Sequence, residues 1–358
     1  MPETAIDVQA AVVPAETVRA RGVSTAWSVA AVAFLVGSLV VGVLAGPVDI
    51  GAGDAARSLL AHLGLGGSTL DQVSDTILWQ LRVPRVVLAA LVGGMLAVAG
   101  ATYQGVFHNP LADPYLLGVA AGAGLGATLA IAYLPHALHG HQLLPVAAFV
   151  GGALAVVVTW TVGRSAGRER DATTFVLAGV VVASFFTAVQ TFVQQQNSDT
   201  LQEVYSWILG TLPSSGWSDV ATLAPYVLGA TAVIFAYRRV LDVLSLGDTE
   251  AASLGVDVGR VRLLLVVAAT VGTAAAVAVS GLIAFVGIIV PHTIRLVVGT
   301  SYRGLIPLSF VVGAGFLVLC DVIARTVLSP AELPIGVVTA FFGAPFFVIA
   351  LRSLRGRA

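Results

Sequence analysis

The residues of this chain whose types and spacing could do chemistry are few. Thr187, Gln190, Gln194 and Asn197 follow one another at steps of three, four and three, which places hydroxyl and amide groups along one face of a helix. Uncharged amides in apolar surroundings need partners or water. A face lining a water-filled path satisfies them, and such a path suits a bulky, hydrogen-bonding solute better than a dehydrated ion; bonding between helices is the competing use. His136, His139 and His141 crowd a segment beside Pro135, and histidine ligates metals and haem, but the spacing matches no recognised site and no metal is assigned. His292 and Arg295, one turn apart after Pro291, suit helix packing better than chemistry. Asp321 is the clear acid inside an apolar run, and Arg325 four residues on gives it a favourable acid-before-base spacing. An ion-coupled secondary transporter would need more ionisable groups within its spans, and a membrane-embedded enzyme would need a clustered acid, base or metal set.

Composition says what must position these groups. Of 358 residues, 57% are hydrophobic, 10% are charged and 39 are glycine, the signature of apolar helices that approach one another closely. A net charge of -1 advertises no nucleic-acid surface. All 18 cations are arginine, and without lysine the chain cannot form the phosphate cradle of a P-loop, so any ATP chemistry belongs to a partner. Cys320 reads as a small core residue.

A bilayer core of about 30 Å needs roughly 20 apolar residues per helix. That length predicts an all-α membrane protein with ten spans, near 25–46, 84–107, 115–134, 143–163, 173–195, 218–237, 262–282, 284–299, 305–326 and 336–351. The first is long for a signal peptide and follows the acidic Glu3, Asp7 and Glu16, so it reads as an anchor. The expected organisation is an N-terminal tail over 1–24, one transmembrane domain over 25–351 with a polar segment at 238–261, and a C-terminal tail over 352–358. Placing both termini in the cytoplasm of a multi-pass cell-membrane protein puts fourteen arginines inside and four outside, namely Arg57, Arg82, Arg85 and Arg325. Arg82, Arg85 and Arg325 flank outer helix ends, where they need compensation from Asp75, Asp321, Glu332 or an acidic partner.

Ala97-Val98-Ala99-Gly100 precedes Pro110 by ten residues, as Ala278-Val279-Ser280-Gly281 precedes Pro291, which hints at an inverted repeat. In 238–261, Leu246-Gly247 and Leu254-Gly255-Val256 bracket a short helix, with Asp248 placed to cap it and Gly255 to end it, so a rigid knob is expected there. After the second span, His108-Asn109-Pro110-Leu111-Ala112-Asp113-Pro114 breaks the helix, and Asn109 and Asp113 can cap freed amides.

That break, together with Arg82-Val83-Pro84-Arg85, Phe285-Val286-Gly287-Ile288-Ile289-Val290-Pro291-His292 and Ala331-Glu332-Leu333-Pro334-Ile335-Gly336, resembles the FecCD-family permeases. These are membrane subunits of ATP-driven importers for iron-siderophore complexes, haem and cobalamin. The resemblance runs from about residue 25 to the C-terminus and implies the fold of the cobalamin permease. It implies as partners a second permease subunit, two cytoplasmic ATP-binding subunits that hold ATP and Mg, and an extracytoplasmic substrate-binding protein; no cofactor is expected in this chain. By motif position it implies ATPase coupling through Leu246, Gly247, Glu250, Ala251, Leu254 and Gly255, and binding-protein docking at Arg82, Arg85 and Arg325. The translocation path is expected along the Thr187 to Asn197 face, with an inner gate near Thr173 and Thr174 beside Ala172. Asn109, Pro110, Asp113, Pro291 and His292 are expected to be structural. An iron(III)-siderophore complex is the expected cargo, ahead of cobalamin and haem.

Overall fold

The computed structural model describes residues 24–48, 50–62, 64–67, 70–134, 143–165, 172–212 and 216–355. His136, His139 and His141 lie outside the described residues. So do the side chains of Ala172 and Thr173. Among the described residues the regular structure is helical: α1 (Thr25–Leu44), α2 (Ala52–His62), α3 (Gln72–Thr76), α4 (Val83–Val106), α5 (Val119–Tyr133), α6 (Leu143–Ser165) and α7 (Ala172–Gln196) are followed by α8 (Leu201–Ile208), α9 (Trp217–Leu244), α10 (Asp248–Ser253), α11 (Val258–Ser280), α12 (Val286–Val298), α13 (Tyr302–Thr326) and α14 (Ile335–Arg355). Seven helices are long and apolar enough to cross a membrane, and α5, α12 and the Ile335–Val348 part of α14 are shorter apolar helices. These ten are the spans that the apolar runs predict. The short helices α2, α3 and α8 fill stretches expected only as connections, and a wide π turn over Ile77–Arg82 leads α3 into α4.

The hub is α4, buried along most of its length and packed against α13, α11, α9 and α12, with α1 lying mainly on α13. It continues from that π turn with Pro84 in its first turn, at a point where the regular helix ladder is already interrupted. A second group, α5 with α6 and α7, joins the hub through α11. Small residues set the spacing. A Cβ on Gly100 would collide with the carbonyl oxygen and Cα of Gly287, so backbone of α4 rests directly on backbone of α12. Pro291 lacks the N–H that would take the Gly287 carbonyl four residues earlier. Gln104 Nε2 on α4 donates to that carbonyl instead, at 3.1 Å, so the proline creates the acceptor that ties the two helices together.

The runs Ala97–Gly100 and Ala278–Gly281 fall at different points, the first in the middle of α4 and the second at the end of α11. The likeness between the halves lies in element order instead. Each long buried span, α4 or α11, is followed by a break, a left-handed residue (Gly118, φ 83°; Phe285, φ 70°) and a short span. Within the first break, Asn109 Oδ1 accepts from the Leu111 amide at 2.9 Å and Asp113 Oδ1 from the Tyr115 amide at 2.8 Å, satisfying donors that no helix uses. Pro110 is exposed there, and Pro114 packs on Gly287.

Gly100→Ala is expected to cost about 1–3 kcal/mol by forcing α4 off α12. Gly229→Ala, whose new methyl would meet nothing within 4 Å, should change stability little. Thermal unfolding in detergent distinguishes the two.

Candidate functional site

The bundle has two polar ends, and most of the expected site residues lie at one or the other. At the first end, α9 stops at Leu244 and the chain turns through Gly247, φ 121°, into the six-residue α10. Asp248 does not cap α10 as its position suggested. Its carboxylate leaves the helix axis and accepts from Arg262 Nη2 of α11 at 2.7 and 2.9 Å, because the buried guanidinium is the stronger partner. The far end of α10 closes in a Schellman arrangement, with Gly255 N–H donating to the Ala252 carbonyl (2.9 Å), Val256 N–H donating to the Ala251 carbonyl (3.1 Å) and Gly255 left-handed at φ 83°. Ala251 is fully buried beneath the helix.

Above that anchor Leu246 and Leu254 are 63% and 65% exposed, and Glu250 is exposed beside Gly247. Two bare leucines flanking a short helix that is fixed at both ends form a rigid apolar knob, the sort of surface that marks a protein-binding site. Arg164, Arg238, Arg239, Arg260, Arg262, Arg295, Arg303 and Arg352 belong to helix ends on this side of the bundle.

At the opposite end the three arginines of interest are buried, at 5% exposure for Arg82, 9% for Arg85 and 4% for Arg325. Arg85 lies against Asp321 (Nε to Oδ1, 2.9 Å) and makes a paired contact with Glu332 (both bonds 2.9 Å). Arg325 faces the other Asp321 oxygen at 3.3 Å and donates to the Gly42 carbonyl. Arg82 donates to the carbonyls of Val43 and Leu44 at the end of α1 and of Val48 just beyond it. The compensation that the sequence left open between nearby acids and an acidic partner is thus present within the chain. One carboxylate between two guanidiniums, with a second at the rim, ties α4, α13 and the turn before α14 into one unit. Arg57 lies 3.9 Å from Asp54 on an exposed surface.

The polar stripe on α7 splits. Gln190 is buried against Gly124 of α5, while Gln194 and Asn197 are half-buried and Asn197 donates to the Tyr133 hydroxyl at 3.3 Å. Thr187 is exposed, beside Ser184, Thr191 and Gln195, which spacing alone did not single out. The hydroxyls of Ser184 and Thr191 bond back to their own helix, so an outward polar strip exists without strain. Thr174 is half-buried at the start of the helix. His292 packs edge-on against Phe346 of α14 with centroids 5.6 Å apart, and Pro291 is buried. Among the described residues no group of three His, Cys, Asp or Glu converges as a metal site would. Missed by sequence reasoning were Arg262, Asp242, Gln104 and His108; the available signal was one polar residue in or beside an apolar run.

Removing the buried carboxylate by Asp321→Ala is expected to cost about 3–5 kcal/mol by leaving two guanidiniums uncompensated. Glu332→Gln at the exposed rim should cost about 1 kcal/mol or less. Comparison of unfolding midpoints in detergent checks both.

The model of the FecCD transport family matches residues 33–353. The cobalamin import system permease BtuC of Halobacterium salinarum is 42% identical over 80% of this chain and 76% of that one. The iron(3+)-hydroxamate import system permease FhuB of Bacillus subtilis is 38% identical, over 80% of this chain and 74% of the relative. A solved inward-facing ABC transporter assigned to the metal-chelate type superposes with a TM-score of 0.79 at 28% identity, covering 91% of this chain and 98% of its own. With its apolar spans and the family match over nearly all of them, the chain is a multi-pass membrane protein that belongs to the FecCD transport family of ABC importer permeases.

Proposed function

We propose that this permease moves an iron(III)-siderophore complex across the cell membrane, using ATP hydrolysed by a separate subunit. The knob of α10 carries the reading: it is apolar, exposed and fixed to α9 and α11, as a lever for a motor subunit must be. In this proposal the knob end is cytoplasmic. The arginines at helix ends there, against Arg85 and Arg325 paired with Asp321 and Glu332 opposite, support that orientation and cytoplasmic termini. Two ATP-binding subunits, which hold ATP and Mg, dock on the knobs of two permease copies. The outward polar strip of α7 faces the path between the copies.

A substrate-binding protein docks on the opposite end. Its acidic residues would compete with Asp321 and Glu332 for the buried arginines, so Arg82, Arg85 and Arg325 serve docking by fixing the outer surface as well as by charge. The iron-hydroxamate relative supports the siderophore cargo; the cobalamin relative, at 42% identity, supports cobalamin as a second reading. Both are bulky metal-centred chelates with hydrogen-bonding rims, which suits a path of hydroxyls and amides.

The test is uptake into proteoliposomes holding the permease with its cognate ATPase and binding protein, offered labelled ferric siderophore, cobalamin and haem. ATP-dependent uptake of the siderophore that disappears without the ATPase is the expected result; uptake driven by an ion gradient alone would defeat the reading. Leu254→Asp, which alters only an exposed side chain, should leave the permease folded yet weaken ATPase co-purification by about tenfold or more, the loss of roughly 1.4 kcal/mol.

A further inference from the structure

We infer that a closed ring of hydrogen bonds through Asp242, Tyr302, Arg295 and Gln104 is the positioning device that carries movement of the α10 knob into the break between α4 and α5. The inference rests on the permease reading above and gives Asp242, Tyr302 and Gln104, which that reading did not use, a role. Asp242 sits in the last turn of α9, immediately before the knob. Its Oδ1 accepts from the Tyr302 amide at 2.6 Å and its Oδ2 from the Ser301 hydroxyl at 3.0 Å, with Arg303 Nε at 3.4 Å, so it holds the first turn of α13. The Tyr302 ring is buried in the notch that Gly105 leaves by lacking a Cβ, and its hydroxyl accepts from Arg295 Nη2 of α12 at 3.1 Å. Arg295 Nη1 donates to Gln104 Oε1 of α4. Gln104 Nε2 in turn donates to the carbonyls of Gly287 and of Ala112, the latter inside the α4–α5 break. From the same break His108, left-handed at φ 51°, donates through Nε2 to the Leu244 carbonyl at 2.6 Å, which closes the ring two residues from Asp242.

Four helices and the break thus meet in one circuit next to the knob. Arg295 is half-buried and held by a neutral amide and a neutral phenol. Its bonds are therefore directional, and a shift of α9 cannot be absorbed by a carboxylate that follows the charge. Gln104 then pulls on the two acceptors, Gly287 and Ala112, that fix α12 and the break in place.

The experiment measures substrate imported per ATP hydrolysed in the reconstituted complex. Tyr302→Phe keeps the ring in its notch and deletes only the hydroxyl; Asp242→Asn weakens the hold on Ser301 and Arg303. Both should lower the ratio about tenfold, as expected for one bond to a charged group, while ATP hydrolysis stays within about twofold of native. The double variant should fall no further than the worse single, because both cut one circuit. A ratio within about twofold of native for Tyr302→Phe, or uptake and hydrolysis falling in parallel, would overturn the ring as a positioning device. If Asp242→Asn fails to assemble, Tyr302→Phe alone decides. Failure of the permease reading shows separately, as absence of ATP-dependent uptake by the native chain.

Discussion

In apolar surroundings every charge and every backbone donor must find its partner within the chain, and this constraint shapes the bundle from one end to the other. Asp321, fully buried, sits between Arg85 and Arg325, and those arginines also bond Glu332 and the Gly42 carbonyl. The same demand explains why a proline can sit inside α12. Its freed carbonyl is consumed by Gln104, and a helix defect becomes a joint between helices.

Satisfying polar groups this way leaves the molecule stiff at its two ends and smoothly packed between them. Through the middle, α4 meets its neighbours by small residues, with Gly100 lying directly on Gly287. Such surfaces permit close sliding but offer few directional bonds. At the ends, networks of charged and amide groups fix several helices at once. An importer needs this division: firm handles for its partners, and between them packing that can change without exposing unpaired polar groups.

The spans, the knob and the break after α4 were legible in the sequence because length, glycine and proline each leave a local mark. Gly255 announces the end of α10, and Asn109 and Asp113 announce caps. Asp248 was misread, since nothing local reveals that Arg262, fourteen residues on, competes for it. The partners of Arg82 were equally invisible: they are carbonyls at the end of α1, some 40 residues away, and a carbonyl has no signature in sequence. The arginines' positions flagged a problem of compensation, and only the fold shows that α13 and the turn before α14 resolve most of it. On α7 the spacing put Thr187, Gln190, Gln194 and Asn197 on one face, but Gln190 is buried and Thr187 exposed, because a stripe drawn at steps of three and four spans both the buried edge and the exposed one.

The most direct test of the account is crosslinking from a single engineered cysteine in the assembled transporter, with the native Cys320 buried and out of reach of reagent. Leu254→Cys should crosslink to the ATPase subunit, and a cysteine at Val327, exposed at the opposite end, should not. Crosslinking from Val327 and none from Leu254 would contradict the assignment of the knob as the ATPase handle, and with it the orientation of the whole bundle.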